Sequence, residues 1–311
     1  MDDEQAKGLQ NTVQEVRDFI QSSQLLDEWP GYHHMLSESI EQKPAWLFTL
    51  PLISCFAIGG KSTDAIPVAA TWVALDHASH LLDAVGDGDF HPDEFLSSPG
   101  QALNFSTSLI FAAYHFLYYI RDPESLRRVM DVFSDAGFKA TLGQHISFSQ
   151  LETLPLEKAL EQYWRMVILK SGSIFRMGTA GGAAAGTADK NLIDALGDYG
   201  TAIGVIMQMM DDCRDMLDIL TSDYEVSLPV LLYSLARGSE KVVYPDARST
   251  ETMVKMLQDA HVPEMIAALL QEWQKKALDS LGPLKNSSML GTLKNVLHDV
   301  SKLPLMDDRN T

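Results

Sequence analysis

Apolar residues along this chain recur mostly three and four positions apart, which is the period of an α-helix with one buried face. No run alternates apolar and polar positions with the β-branched enrichment that is typical of strands. The pattern predicts helices over residues 9–25, 46–59, 63–86, 100–120, 124–140, 156–186, 190–220, 227–237, 250–259, 262–280 and 288–302. Long helices with short connections predict an all-α fold built as a helix bundle.

The helix-ending residues and the loops between the predicted helices indicate one domain. Gly59-Gly60, Asp122-Pro123 and Gly282-Pro283 mark helix ends, since glycine and proline stop helices. The longest loop-like stretches, 87–100 and 222–246, lie between strongly helical segments and do not read as linkers. We therefore expect a single domain over residues 1–311.

Two apolar or small-residue stretches need a choice between alternatives. The segment Leu103–Ile120 is long enough to raise the question of a membrane span, but Asn104, His115 and three hydroxyl residues interrupt it. A buried core helix is favoured, with no integral membrane segment. Thr179–Gly186, with the sequence TAGGAAAG, is typical of close helix packing, and the alternative is that it lines a wide cavity.

Charge and cysteine content exclude several classes of function. The net charge is −18, so a nucleic-acid partner is not expected, because phosphate contacts need clustered lysine and arginine. Cys55 and Cys213 are too few for a disulfide framework and lack zinc-type spacing. The acidic N-terminal sequence has no apolar core behind it, so no signal peptide is expected, and we predict a cytoplasmic protein.

The segment Met207–Asp215 carries aspartates directly after a buried apolar run. Asp211 and Asp215 are one helical turn apart and share a face, while Asp212 lies about 100° around the helix from Asp211. Like charges at this spacing destabilise a helix slightly, and a divalent cation would offset that cost. Magnesium prefers carboxylate oxygens, water and substrate phosphates. The alternative is a helix that simply leaves the core here.

A second acidic stripe lies earlier in the chain. Asp76, His80, Asp83 and Asp87 occupy one face of the helix predicted over 63–86 and its end. Asp83 and Asp87 form another pair of carboxylates one turn apart. Two such pairs on separate long helices indicate a magnesium site more strongly than either pair alone, and such a site stays open to phosphate oxygens.

The order of several motifs resembles the trans-polyprenyl diphosphate synthase family, in the class I isoprenoid synthase superfamily, over about residues 40 to 300. The matching motifs, in chain order, are PLISCFAIGG over Pro51–Gly60, DAVGD over Asp83–Asp87, QALN over Gln101–Asn104, Gly143-Gln144, Tyr163 with Lys170-Ser171-Gly172, Gly204 and Gln208 with Asp211–Asp215, and Ser227-Leu228-Pro229. The second aspartate motif with its glutamine is quite specific, and the ordered set is more so.

This resemblance implies an isoprenoid synthase helix bundle around a deep central cavity, with Mg²⁺ as cofactor and an allylic prenyl diphosphate as substrate. The implied metal ligands are Asp83 and Asp87 on one wall and Asp211, Asp212 and Asp215 on the other. Lys170 is expected to contact the diphosphate, and Gln208 to act near the second metal cluster. For Lys170 the alternative from the sequence alone is a solvated lysine.

The chain departs from the family pattern at a group of positions. Ala84 replaces an aspartate of the first motif, and Ser147 replaces the aspartate of GQxxD. The expected basic pattern is reduced at Gln42–Trp46, and expected basic residues are missing from His91–Glu94 and Tyr224–Val226. In the family those basic residues mostly hold isopentenyl diphosphate, and a diphosphate needs several cationic or N–H partners. Their loss as a group puts ordinary chain elongation in doubt.

We therefore expect a magnesium-dependent enzyme that ionises a long allylic diphosphate, in the manner of a terpene synthase or by transfer to an unusual acceptor. Small residues at Ala78 and Ser79, one turn before Asp83, favour a long substrate in this family. The alternatives are a true polyprenyl diphosphate synthase and a non-catalytic regulatory subunit of a heteromeric prenyl synthase. The resemblance implies a homodimer, with a heteromer as the other option.

Overall fold

A computed structural model of the chain describes residues 3–29, 32–36, 45–93, 95–216, 226–247 and 249–302. The helices are α1 (Asp3–Gln21), α2 (Ala45–Ala57), α3 (Ser62–Gly86), α4 (Pro99–Leu117), α5 (Pro123–Ser147), α6 (Leu156–Val167), α7 (Ser173–Gly186), α8 (Lys190–Asp215), α9 (Leu228–Ala236), α10 (Thr250–Asp259), α11 (Val262–Ser280) and α12 (Leu290–Val300). Within the described ranges, β structure is limited to one bridge between Pro155 and Lys241. The prediction of an all-α fold is confirmed.

The structure differs from the predicted helices in two places that matter for the site. The helix predicted over 156–186 is divided by a π-helical turn at Ile168–Gly172, which we call the π-turn. The helix predicted over 190–220 ends at Asp215, and residues 217–225 lie outside the described ranges. A π-turn inserts an extra residue into a helix that is otherwise continuous, so the apolar spacing on either side of it hardly changes.

The chain divides into two compact units. The first comprises Met1–Ala136, Arg176–Gly197 and Leu281–Asn295, and the second comprises Gly137–Phe175, Asp198–Ser280 and Val296–Thr311. The prediction of a single domain is not tested by this division and stays a prediction, as does the central cavity.

In the first unit, α3 is the central element and packs against α1, α2 and α4. Trp72 of α3 is fully buried, and its indole Nε1 donates a hydrogen bond to the carbonyl oxygen of Leu47 at 3.1 Å. Thr71 bridges α3 to α4 by donating to the carbonyl oxygen of Ala113 at 3.0 Å. Phe105 and Leu109 of α4 lie in this core, whereas Leu103 and Phe111 of the same helix are exposed, so the predicted core helix is buried on one face only. In the described part of the chain, no helix combines the length and the apolar character that a bilayer crossing requires.

The small residues of α7 allow close packing, as the sequence predicts. A Cβ atom on Gly182 would lie 2.0 Å from the carbonyl oxygen of Pro51 in α2, and one on Gly186 would lie 3.0 Å from Cys55 Sγ. A Cβ atom on Gly181 would meet the ring of Phe133 at 2.4 Å. These glycines therefore bring α7 into direct contact with the backbone of α2 and with α5.

We expect Gly182→Ala to lower the free energy of unfolding by about 1–3 kcal/mol, because the new methyl group meets backbone that cannot rotate away. The matched control is Gly291→Ala, also inside a helix, where a Cβ atom meets nothing within 4 Å. That control should leave stability unchanged or raise it by up to about 1 kcal/mol. Urea unfolding measures both, and equal values for the two variants would contradict the packing argument.

In the second unit, α6 is fixed from several sides. Trp164 of α6 stacks on Trp273 of α11 with ring centroids 6.3 Å apart. At its start, the backbone N–H of Leu156 donates to the carbonyl oxygen of Glu240 at 2.9 Å. α6 also packs against α9, which itself packs against α11. This framework holds Tyr163 and the π-turn that follows it.

Candidate active site

The first aspartate motif lies at the C-terminal end of α3. Asp83 is in the last turn, and Asp87 is the residue that caps the helix, with its N–H donating to the carbonyl oxygen of Asp83 at 2.8 Å. Gly88 follows with φ +81°, a left-handed conformation that ends the helix. The last turn of α3 contains no basic residue. The carbonyl groups of this last turn and the two carboxylates therefore create a negative potential there, which attracts cations.

The N-terminal part of the same acidic stripe, Asp76 and His80, has a structural role. Asp76 is buried, whereas the side chain of His80 is largely exposed. His80 Nδ1 lies 2.7 Å from the carbonyl oxygen of Asp76, and Ser79 Oγ donates to that same oxygen at 2.8 Å. Asp83 and Asp87 are thus the carboxylates of the stripe that lie at the C-terminal end of the helix.

The second aspartate motif lies at the C-terminal end of α8, again where a helix dipole is negative. Asp211 is half-buried and forms an ion pair with Arg214, while Asp215 is exposed. Asp212 differs from both, because only 6% of it is exposed. The three predicted ligands of this motif are therefore not equivalent.

Three donors surround the Asp212 carboxylate. Oδ1 accepts a hydrogen bond from Gln208 Nε2 at 2.9 Å. Oδ2 accepts from the Tyr163 hydroxyl at 2.7 Å and from the backbone N–H of Leu228 at 2.8 Å. Gln208 continues the network, since its Oε1 accepts from Ser171 Oγ at 2.6 Å. One connected set of hydrogen bonds thus joins α8 to α6, α9 and the π-turn.

The ionisation of this network follows from its burial. Burial raises the pKa of Asp212 to about 6, although the hydrogen bonds from Gln208, Leu228 and Tyr163 oppose that rise. Burial, together with the neighbouring Asp212 charge, raises the pKa of Tyr163 well above its ordinary value. Tyr163 therefore keeps its proton and acts as a donor to the carboxylate.

We expect Tyr163→Phe to lower the free energy of unfolding by about 1–3 kcal/mol, because a buried carboxylate loses one of its donors. Tyr119→Phe serves as a control, since Tyr119 is 49% exposed and its hydroxyl should contribute less than about 0.5 kcal/mol. Chemical unfolding of both variants checks this. A Tyr163→Phe protein as stable as the parent would show that the hydrogen bond to Asp212 makes no net contribution to the free energy of unfolding.

The π-turn carries Lys170 and Ser171, and two glycines hold it by close backbone approach. A Cβ atom on Gly143 of α5 would lie 2.2 Å from Lys170 N. A Cβ atom on Gly204 of α8 would lie 2.3 Å from the carbonyl oxygen of Ser171. The backbone that carries the predicted diphosphate-binding lysine is therefore fixed between two helices. Lys170 itself is half-buried.

The residues present fit magnesium as carboxylate pairs. In the described ranges, no group of three or more His, Cys, Asp or Glu side chains comes together to hold a metal ion. Magnesium suits a site with one or two carboxylates, because it retains water and binds substrate phosphate oxygens. Asp83 with Asp87 and Asp211 with Asp215 have the donor chemistry for such sites. Asp212 fits less well, since it is buried and its two oxygens already accept three hydrogen bonds.

Several of the departures from the family pattern can be placed in the structure. Asp93 occupies the loop where paired arginines are expected, and its carboxylate accepts from the N–H groups of Phe95 and Leu96 at 2.7 and 2.6 Å. Ser147 donates to the carbonyl oxygen of Gln144 at 2.7 Å. The departures at 42–44 and 224–225 lie outside the described ranges. Where it is described, the altered loop is acidic and internally hydrogen-bonded.

Sequence reasoning missed the parts of the site that depend on tertiary contacts. It matched Tyr163 and Ser171 to family motifs without giving either a role, and it did not anticipate the N–H of Leu228 as a donor. A usable signal was available for Asp212, because it lies about 100° around the helix from Asp211, toward the buried side. The roles assigned to Lys170 and Gln208 and the metal ligand set stay predictions.

Comparisons with known proteins support the resemblance. A family model described as polyprenyl synthetase matches residues 97–226, which include the second aspartate motif and not the first. A short chain isoprenyl diphosphate synthase from Methanothermobacter thermautotrophicus is 28% identical over 211 residues, 62% of this chain. The chain spans 63% of the length of that relative.

Solved structures show the same fold. A geranylgeranyl pyrophosphate synthetase from Geoglobus acetivorans superposes with a TM-score of 0.77 at 17% identity, covering 94% of this chain and 98% of that one. A decaprenyl diphosphate synthase from Rhodobacter capsulatus gives 0.76 at 19% identity, with 96% and 97% covered. A polyprenyl synthase from Caulobacter crescentus, complexed with calcium and isoprenyl diphosphate, gives 0.77 at 16% identity, with 96% of each chain covered.

Proposed function

We propose that this polyprenyl synthetase-like protein is a magnesium-dependent enzyme that ionises a long allylic prenyl diphosphate without requiring isopentenyl diphosphate. The observation that carries the proposal lies in the second unit, where the carboxylate pair at the C-terminal end of α8 is joined by hydrogen bonds to a fixed turn that presents a lysine. In the first unit, α3 ends in a carboxylate pair of the same spacing. Two features favour a diphosphate as the ligand. The carboxylate pairs suit Mg²⁺, and Lys170 supplies a cation for a phosphate oxygen.

Each residue has a defined task in the proposed reaction. Asp83 and Asp87, and separately Asp211 and Asp215, are the proposed metal ligands. When bound, magnesium neutralises charge that develops on the leaving diphosphate. Lys170 contacts the diphosphate directly, and Gly143 and Gly204 hold the backbone of the turn from which its side chain extends. Gln208 orients its amide beside the second motif through Asp212 and Ser171.

The choice against chain elongation is supported by the loop after the first motif. Its Asp93 is acidic where the family pattern has basic residues, and a second diphosphate would be repelled by a carboxylate. The alternative is a true polyprenyl diphosphate synthase. It is favoured by the relatives, which include a short chain isoprenyl diphosphate synthase. Both candidates share the same first step, which is loss of diphosphate from an allylic substrate. They differ in the acceptor of the resulting cation.

Product analysis separates these candidates. Purified protein would be incubated with Mg²⁺ and farnesyl or geranylgeranyl diphosphate, each with and without isopentenyl diphosphate. The proposal expects diphosphate release in both mixtures, with a hydrocarbon or alcohol as the organic product. Release only with isopentenyl diphosphate, giving a longer diphosphate, would establish chain elongation instead. No release from either substrate would favour a regulatory subunit.

An exposed apolar stripe on α4 supports the expected homodimer. Leu103, Phe111, Tyr114 and Tyr118 recur at helical spacing and are all exposed, with Phe111 at 69%. The stripe has no charged residue although the chain carries a net charge of −18. A second copy of this chain is the proposed occupant, because an uncharged patch lets two strongly acidic molecules meet without bringing like charges together.

We expect Phe111→Glu to shift the protein from dimer toward monomer, because it places a charge in the proposed two-fold contact. Leu278→Glu is the control, since Leu278 is also an exposed apolar residue but lies on α11. Sedimentation velocity reports the oligomeric state of both variants. A parent protein that is monomeric at micromolar concentration would remove the proposal, and dissociation by the control alone would move the interface to α11.

A further inference from the structure

The second aspartate motif contains one carboxylate that does not behave like its neighbours. Asp211 and Asp215 share a helix face and reach solvent, whereas Asp212 is 6% exposed. A buried carboxylate is stable in a fold only when donors replace its lost water. Asp212 has three such donors, and each comes from a different part of the second unit: Gln208 in α8 itself, Tyr163 in α6, and the backbone of Leu228 at the start of α9.

These donors leave little capacity for a cation. Oδ2 of Asp212 is shared by the Tyr163 hydroxyl and the Leu228 N–H, and Oδ1 faces the Gln208 amide nitrogen. A metal ion at Oδ2 would have to displace one of two buried donors, and a metal ion at Oδ1 would have to compete with the half-buried Gln208 amide. Leu228 would lose the most, because the N-cap residue of α9, Ser227, makes no side-chain hydrogen bond to cap that helix.

The carboxylate also fixes the direction of a hydrogen-bond relay. An ionised carboxylate only accepts, so Gln208 must turn its Nε2 toward Asp212 and its Oε1 away from it. That oxygen then accepts from Ser171, which lies beside Lys170 in the π-turn. The orientation of a glutamine amide, the side chain of Ser171 and the end of α8 are thereby all set by one buried group.

We propose that Asp212 is a positioning residue and not a metal ligand: its carboxylate orients the Gln208 amide, and through Ser171 it holds the π-turn that carries Lys170. The inference deepens the proposed function and rests on it for the part that concerns catalysis. In this assignment, Asp211 and Asp215 of the second motif bind the cation, while Asp212 orients Gln208 and stabilises the π-turn. Gly143 and Gly204 restrain the backbone of the same turn by contact, while the relay restrains its side chains.

Asp212→Asn is the informative substitution, because it keeps the size of the side chain. The asparagine oxygen can still accept from Tyr163 and Leu228, but its NH₂ group then faces Gln208, whose amide must turn over to accept from it. Ser171 would next meet an NH₂ group in place of an oxygen. The matched controls are Asp211→Asn and Asp215→Asn, which make the same chemical change one position earlier and three positions later.

The first readout is metal binding. Isothermal titration of Mg²⁺ in the presence of inorganic diphosphate should give an affinity for Asp212→Asn within about threefold of the parent. The two controls should each lose roughly tenfold or more, since each removes a charged oxygen ligand. Equal loss in all three variants would overturn the assignment, because Asp212 would then be a ligand.

The second readout does not depend on activity or on metal. Amide hydrogen exchange across Leu169–Gly172 should be faster in Asp212→Asn by roughly tenfold, the loss expected when a charged hydrogen-bond acceptor is replaced. Peptides of α12 in the same sample report any global change, and the two controls should leave the π-turn unchanged. Unchanged exchange of the π-turn in Asp212→Asn would overturn the proposal, whether or not the protein is an enzyme.

Kinetics give the third readout when the parent turns over. Asp212→Asn should lower kcat more than it changes the Mg²⁺ concentration for half-maximal rate. Its effect on kcat should be non-additive with that of Ser171→Ala, because both act through Gln208. Additive effects would contradict the relay. A parent that shows no turnover, with exchange altered as expected, would sink the proposed function and leave the structural part of the inference standing.

Discussion

Asp211→Ala combined with Asp215→Ala is expected to abolish magnesium-dependent release of diphosphate, with a loss of roughly 10²–10³-fold or more. Both side chains lie within the last five residues of α8, where the helix carbonyl groups already favour a cation. Their removal takes away the proposed ligands without opening a cavity, because neither residue is buried. The free energy of unfolding should therefore change by less than about 1 kcal/mol.

The control for this double variant is Glu157→Ala with Glu161→Ala. These two carboxylates are also one turn apart on an exposed helix face, in α6 of the same unit. They should leave the rate within about twofold of the parent, since they change only the surface charge and the exposed ion pair between Lys158 and Glu161. Diphosphate release is followed by a coupled phosphate assay. A double aspartate variant that retains the parent rate would show that the second motif has no part in the reaction.

Gly204→Ala is expected to disturb the packing of the π-turn against α8 more than any other single substitution considered for the site. The new Cβ atom would lie 2.3 Å from the carbonyl oxygen of Ser171 and 2.7 Å from its carbonyl carbon. Both are backbone atoms of the π-turn, so the helices must separate or the turn must rearrange. We expect a loss of about 2–3 kcal/mol in the free energy of unfolding, together with a fall in kcat, since Lys170 moves with the turn.

Gly143→Ala approaches the same turn from the other side and should behave alike, because its Cβ atom would lie 2.2 Å from Lys170 N. Gly100→Ala is the control, since its Cβ atom would meet only Ser98 Oγ at 4.0 Å. Circular dichroism melts and steady-state kinetics measure all three variants. A Gly204→Ala protein with the parent kcat would show that the close approach does not position the lysine.

Much of the helical framework could be predicted from the sequence, because the spacing of apolar residues and the helix-ending glycine and proline residues are local properties. Asp122-Pro123 and Gly282-Pro283 mark observed boundaries closely, with α5 beginning at Pro123 and a short 3₁₀ turn at Gly282–Leu284. The π-turn could not be predicted in this way, since the residues around it keep a helical pattern. Its position is set by backbone contacts with α5 and α8, which lie far apart in sequence.

The residues of the candidate site were proposed from the sequence, whereas their burial and hydrogen bonds come from the structure. Spacing alone places Asp211 and Asp215 on one face, and both do reach solvent at the end of α8. Spacing cannot show that Asp212 finds three donors, because Tyr163 and Leu228 reach it only through tertiary packing. A motif match treats the three aspartates as one set, whereas their burial separates them.

The central claim, ionisation of an allylic diphosphate by a magnesium-dependent enzyme, is tested most directly by diphosphate release from geranylgeranyl diphosphate as Mg²⁺ is titrated. The parent protein should release diphosphate without isopentenyl diphosphate, the rate should saturate with Mg²⁺, and excess chelator should return it to the background. Release that is absent at every Mg²⁺ concentration, or that is unchanged by the chelator, would contradict the account.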